Sequence, residues 1–136
     1  MDILTPEMRS WNMSRIRGKD TKPELAVRSL LHGMGYRFRL KNAEIPGKPD
    51  IILPRYKTAI FVHGCFWHRH ENCKYAYKPK TKIDFWQKKF DTNIRRDQKV
   101  SEQLKKLCWN QLVIWECEIK NYKTLKKKIE AFFRDL

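Results

Sequence analysis

The chain has 136 residues and carries thirty Lys or Arg against fifteen Asp or Glu, a formal charge of +15. That length suits one domain able to bury most of its apolar surface, and so strong a basic excess points to a polyanionic partner, nucleic acid before membrane. No apolar run approaches the roughly 18–20 residues that span a bilayer, the opening Met1-Asp2-Ile3-Leu4-Thr5-Pro6 lacks the features of a secretory signal, and a cytoplasmic setting at the nucleoid is expected.

Thr5-Pro6 reads as an N-cap and first turn with Gly18 as a stop, so a helix is expected between them. It sets Arg9, Arg15 and Arg17 beside Met8, Trp11, Met13 and Ile16, which suits either an amphipathic helix on the core or an arm along a phosphate backbone. Thr21-Lys22-Pro23-Glu24 opens a second helix with capping-box spacing. Its Val27, Leu30, Leu31 and Met34 recur at helical spacing, and Gly33 and Gly35 end it. Tyr36 to Leu40 alternates like a half-buried strand. Ile45-Pro46-Gly47-Lys48-Pro49 turns into a short strand from Asp50 to Leu53, Pro54-Arg55 turns again, and Thr58 to Val62 reads as a buried central strand.

A basic loop from Lys74 to Lys82 leads to a long helix, about Ile83 to Leu107, with Trp86, Phe90, Ile94, Leu104 and Cys108 on one stripe. Gln111 to Trp115 is a further strand. The closing helix carries Leu125, Ile129, Phe132 and Leu136, with Lys126, Lys127 and Lys128 on its solvated side. Together these describe one α/β domain with a mixed sheet flanked by helices.

The segment His63-Gly64-Cys65-Phe66-Trp67-His68-Arg69-His70-Glu71-Asn72-Cys73 concentrates the chemistry. In a reducing compartment the chain's four cysteines read as metal ligands before disulfides. Cys65, His70 and Cys73 have the spacing of ligands closing a tight loop around a structural zinc, which needs a fourth donor. Cys117 at a strand end suits that role better than Cys108, which falls on the apolar stripe and reads as a small buried hydrophobe. His68 lies within reach as an alternative to His70.

Asp50 and His63 fall at neighbouring ends of two adjacent strands. A carboxylate with phosphate oxygens can hold Mg²⁺, and His63 or His68 can activate water for phosphodiester hydrolysis. Asp97 lies on the buried stripe of the long helix, where a carboxylate is expected to be paired or to work, the alternative being a surface salt bridge at the stripe's edge to Arg95 or Arg96. Glu24 is accounted for by the capping box. Phe66 and Trp67 cannot both face one core if their segment is extended, whereas Trp86 suits core packing.

Pro46-Gly47-Lys48-Pro49-Asp50, the run Phe61 to His68, the pair Phe85-Trp86 and the run Val113 to Cys117 resemble, in order and spacing, the very-short-patch mismatch-repair endonucleases. The similarity runs from Asn12-Met13 to Cys117. The resemblance implies a restriction-endonuclease-like core that nicks double-stranded DNA 5′ of the T in T:G mismatches left by deamination of 5-methylcytosine. It implies Mg²⁺ on Asp50 and the Val62 carbonyl, His68 as general base, His63 as a second imidazole, and Glu24 and Asp97 as supporting acids, Asp97 orienting a histidine. The structural Zn²⁺ would rest on Cys65, His70, Cys73 and Cys117. Phe66, Trp67 and Trp86 match aromatics that wedge into the base stack, Lys89 and Asn93 stand where the mismatch is read, and Met13 matches a residue entering from the other groove.

Two departures stand out. Phe61-Val62-His63 occupies the place of the Glu-x-Lys of the wider restriction-endonuclease superfamily, as it does in the mismatch-repair branch. The run from Arg69 to Cys73 is less rich in histidine and one residue longer than the family's. The expected molecule is a monomer with residues 1–18 as a DNA-contacting arm and 19–136 as the catalytic core, linked in function to a cytosine methyltransferase and to mismatch-repair and nick-processing proteins. The rival readings are a restriction or homing-type nuclease without mismatch preference and a non-catalytic, zinc-stabilised DNA-binding module.

Overall fold

The computed structural model describes residues 21–40 and 45–136 of the chain. The expected first helix, with Met13, lies outside the described residues. Helix α1 (Lys22–Gly33) starts as its sequence dictates: the Thr21 hydroxyl accepts the Glu24 N–H at 3.4 Å, and Pro23 occupies the first turn. It ends where Gly35 takes a φ of +89°, a left-handed conformation that costs glycine nothing.

Among the described residues three strands form one sheet in the order β1 (Ile51–Leu53), β2 (Thr58–His63) and β3 (Asn110–Trp115). β1 runs antiparallel to β2, and β2 runs parallel to β3, so the sheet is mixed as expected. The parallel pair is joined through helix α2 (Ile83–Lys106), and helix α3 (Tyr122–Arg134) closes the chain. Alternate side chains of each strand divide between two cores. Ile51, Leu53, Ile60, Leu112 and Ile114 meet Val27 and Leu31 of α1 and Leu125 and Ile129 of α3. Ile52, Ala59 and Phe61 pack on Leu104 of α2 across the other face. Each fully buried aliphatic among these contributes about 1.5–3 kcal/mol of transfer free energy. No helix among the described residues is long and apolar enough to cross a membrane.

Three expectations fail locally. Residues 36–40 form no strand; Arg39 alone bridges Ile52, each N–H reaching the other's carbonyl at 2.8 Å. β1 is three residues long and offers little ladder, while Tyr36 is drawn into a ring cluster with Tyr56 and Phe133, centroids 5.7 and 4.7 Å away. Cys108 is exposed, because α2 ends at Lys106 and the chain turns there through a φ of +59°. Lys128 does not face water freely: its ammonium donates to the Val113 carbonyl at 2.8 Å and to Glu118 at 2.7 Å.

The topology gathers three strand ends. His63 and Trp115 are partners at the carboxyl ends of β2 and β3, and Asp50 enters β1 beside them, its N–H on the Ile60 carbonyl at 3.1 Å. The turn before Asp50 is tightly seated. Gly47 has a φ of +83°, and a Cβ there would come within 2.5 Å of the Val100 side chain of α2.

Candidate active site and metal centre

A cleft of about 540 Å³ opens at this edge, lined among others by Glu24, Asp50, Val62, His63, His68 and Asp97. Five side chains named from the sequence, and the Val62 backbone, therefore face one space. One Asp50 carboxylate oxygen accepts the Val62 N–H at 2.7 Å. Burial raises the Asp50 pKa to about 6, with the neighbouring Glu24 carboxyl adding to the rise and the Val62 N–H and His68 opposing it. Glu24 is buried, with Arg28 at 3.4 Å, and its side chain lines the cleft beside Asp50.

His68 and Asp97 meet at 2.7 Å, Nδ1 to Oδ2. The partner of Asp97 is thus a histidine 29 positions away, as the family resemblance implies, and not the alternative Arg95 or Arg96. The acceptor fixes the proton on Nδ1 and leaves Nε2 of a neutral His68 as a base. His63 stacks on His68 with ring centroids 3.8 Å apart and planes 5° from parallel. Burial, then the proximity of His68, lowers the His63 pKa to about 4 despite the opposing effect of Asp97. A neutral His63 therefore stacks on His68 without placing a positive charge beside it.

On the far side of the histidines, Cys65, His70, Cys73 and Cys117 place their ligand atoms within 4.8 Å of one another. Cys117 Sγ lies 3.4 Å from His70 Nδ1. Ligand-to-ligand edges of a tetrahedral zinc with these donors run roughly 3.5–3.8 Å, so the residues fit the ion. Burial pushes the Cys65 thiol up to about 12 and raises Cys117 as well. Cys73 moves the other way: burial opposes, but the Tyr75 N–H and the neighbouring thiols prevail and lower it. A cation bound here would favour the thiolate of each. His70, not His68, completes this cluster, its ring stacked 4.1 Å over Trp115, while His68 is paired with Asp97.

The segment from Gly64 to His70 is coiled, not extended: His68 N–H reaches the Gly64 carbonyl at 3.1 Å and His70 N–H the Cys65 carbonyl at 3.0 Å. Both Phe66 and Trp67 therefore turn toward α2. Phe66 sits edge-on to Trp67, Trp86 and Phe90 at 5.3, 5.4 and 5.2 Å, and Trp67 lies 5.6 Å from Trp86. Trp86 is half-buried and shared between packing and surface. Lys89 and Asn93 line a hollow of about 390 Å³ beside Trp67 together with Lys88 and Arg96. The Asn93 amide donates to the Trp67 carbonyl at 3.1 Å and so braces the aromatic pair.

Comparison with known proteins agrees with this geometry. Residues 1–74 match the family model described as DNA mismatch endonuclease Vsr. The chain is 39% identical over 124 residues to the DNA mismatch endonuclease Vsr of Escherichia coli, covering 91% of this chain and 79% of that protein. The chain belongs to the Vsr family. It is similar as well to the type II nicking enzyme V.XorIIP of Xanthomonas oryzae, 44% identical over 128 residues and covering 94% and 93% of the two chains. Against V.NmeAIP of Neisseria meningitidis it is 41% identical over 135 residues, 99% and 96% of the two.

As a Vsr-family protein the chain is a DNA endonuclease, and its mixed sheet with helices on both faces is the restriction-endonuclease-like α/β fold of that family. The Vsr-type site also depends on residues that sequence reasoning passed over. Glu118 accepts the Trp115 N–H at 2.9 Å and the Lys128 ammonium at 2.7 Å, fixing the turn that carries Cys117. Its spacing of three from Trp115, a capping-box interval, was the available signal. Arg69 donates to the carbonyls of Phe66, Ala76 and Tyr77 at 3.2, 2.9 and 3.1 Å, and nothing but its place inside the Cys/His segment marked it.

Proposed function

We propose that this enzyme nicks one strand of double-stranded DNA 5′ of the T in a T:G mismatch, with Mg²⁺ at Asp50 and a structural Zn²⁺ on Cys65, His70, Cys73 and Cys117. The observation that carries the reading is a single cleft holding a carboxylate on the Val62 N–H and a His68–Asp97 pair 2.7 Å apart. Bound at Asp50 and the Val62 carbonyl, Mg²⁺ would supply Lewis-acid stabilisation of charge on the scissile phosphate. Glu24, beside Asp50, adds negative charge that favours a cation there.

His68 acts as general base. Its Nε2 accepts a proton from the water that attacks phosphorus, while Nδ1–H stays on Asp97, which stabilises the resulting imidazolium. The bond from phosphorus to the leaving oxygen breaks as the water oxygen bonds. Neutral His63 supports the ring from one face without competing for the proton.

Mismatch preference rests on Phe66, Trp67 and Trp86 as a wedge. Inserting apolar side chains between base steps costs a few kcal/mol, least where pairing is already imperfect, so a T:G wobble is favoured over a matched pair. Lys89 and Asn93 then meet the displaced groups, with Met13 approaching from the opposite groove. The decisive assay compares T:G and matched duplexes over randomised flanks, with and without Mg²⁺. Selective, Mg²⁺-dependent, single-strand nicking of T:G is expected. Efficient double-strand cutting of matched DNA would establish a restriction-type enzyme instead.

A further inference from the structure

The aromatic cluster extends beyond the residues given a role above. Tyr77 stands at its outer edge, 63% exposed, with its ring centroid 5.0 Å from Phe66 and tilted by 34°. A ring left so far in water contributes little to the core, yet the backbone beneath it is fixed. Arg69 Nη1 donates to the carbonyls of both Tyr77 and Phe66 at 3.1 and 3.2 Å, and Nη2 donates to Ala76 at 2.9 Å. The same guanidinium lies 4.0 Å over the Phe90 ring of α2. One planar fork therefore ties Tyr77 to the residue and the helix that carry the wedge. Arg69 does so from a φ of +54°, a left-handed conformation that costs a residue with a Cβ.

The surroundings indicate what the exposed ring meets. Lys78, Lys80 and Lys82 follow it and are exposed. On the other flank Phe85, 50% exposed, carries the Lys89 ammonium 5.1 Å from its centroid. Exposed aromatics in a lysine-rich stretch have the chemistry of base stacking with phosphate attraction. It is unlike the core of a protein–protein interface, from which lysine is depleted.

We propose that Tyr77 is a further DNA-contacting residue of this enzyme, a stacking platform that takes a nucleobase beside the step opened by Phe66 and Trp67, with Arg69 as its positioning residue. The proposal rests on the wedge reading above. The test measures dissociation constants of the zinc-loaded protein on T:G and matched duplexes in magnesium-free buffer, for the parent, Tyr77→Ala, Tyr77→Phe and Trp67→Ala. Loss of one stacked base weakens binding roughly 5- to 100-fold. Tyr77→Ala is expected to weaken T:G binding within that range and matched binding less, with zinc content and melting temperature at the parent's values, and Tyr77→Phe to stay within about twofold on both duplexes.

T:G binding by Tyr77→Ala within twofold of the parent would overturn the proposal. So would equal weakening on the two duplexes, which marks a backbone contact, or a defect in Tyr77→Phe as large as in Tyr77→Ala. Trp67→Ala separates the two readings: if it binds T:G as the parent does, the wedge falls. If Trp67→Ala is impaired and Tyr77→Ala is not, the wedge stands and Tyr77 has no part in it.

Discussion

Asp50 is held between opposing influences: the Val62 N–H favours its charged form, while burial and Glu24 favour the neutral one and prevail, raising its pKa from 3.8 to about 6. A carboxyl whose folded pKa exceeds its unfolded value binds its proton more tightly in the fold, so its ionisation costs stability as pH rises through that window. In magnesium-free buffer the parent should therefore lose stability relative to Asp50→Asn between about pH 4 and pH 6 and hold that deficit above. Melting curves of both proteins at pH 4.5 and 7.5 would show it. Added Mg²⁺ should raise the melting temperature of the parent at pH 7.5 and leave Asp50→Asn unmoved. A shared response to Mg²⁺ would remove the ion from Asp50. Asp97→Asn addresses the base. It keeps the shape of the pair 2.7 Å from His68 but removes the charge that stabilises an imidazolium. Single-turnover nicking should fall by about 10²- to 10⁴-fold with duplex affinity unchanged. An unchanged rate would deny His68 its role.

At the scale of elements, the short 3-10 turn Glu116–Lys120 holds Cys117 at the end of β3, and Glu118 pins that turn to the Trp115 N–H and to Lys128 of α3. Glu118→Ala leaves the Trp115 N–H without its acceptor and the Lys128 ammonium with the Val113 carbonyl alone. Second-layer partners of metal ligands typically contribute 10- to 100-fold in metal affinity. Competition with a chelator should show zinc loss from Glu118→Ala at correspondingly lower chelator concentration, while Glu118→Gln, which keeps an acceptor, loses less. Equal retention by all three proteins would make the turn self-supporting. The same elements show why patterning succeeded in some places and failed in others. The Thr21 cap, the 3.6-residue stripe of α1 and the buried run of β2 are local, and neighbours in sequence decide them. The expected strand at residues 36–40 failed because its partner is three residues long, which no local pattern reveals. In the segment after His63, hydrogen bonds from the His68 N–H to Gly64 and from the His70 N–H to Cys65 coil the chain and turn both aromatics the same way, which no local pattern dictates.

For the whole molecule, the charge of +15 governs the encounter with DNA. Neutralising about six phosphates makes affinity fall roughly 10³-fold between about 50 and 200 mM salt, through release of condensed counterions. Dissociation constants on a T:G duplex across that range should give a steep linear log–log plot. A flat one would mean that the basic residues serve solubility alone. The sequence by itself determined the residue chemistry of the site: a Cys/His cluster, Asp50 and the histidines, the aromatics near Trp67, and the class of partner. Side-chain type, charge and short-range spacing carry that information without any fold. Only the tertiary structure decided the pairings. Asp97 meets His68 across 29 positions and Cys117 meets His70 across 47. Lys128, expected in water, reaches back to the site's supporting turn. Those distances close because the parallel pair β2–β3 brings His63 and Trp115 side by side while α2 packs across the sheet between them in sequence. The seating of a crossover helix depends on which apolar faces bury each other, and that is a property of the whole chain.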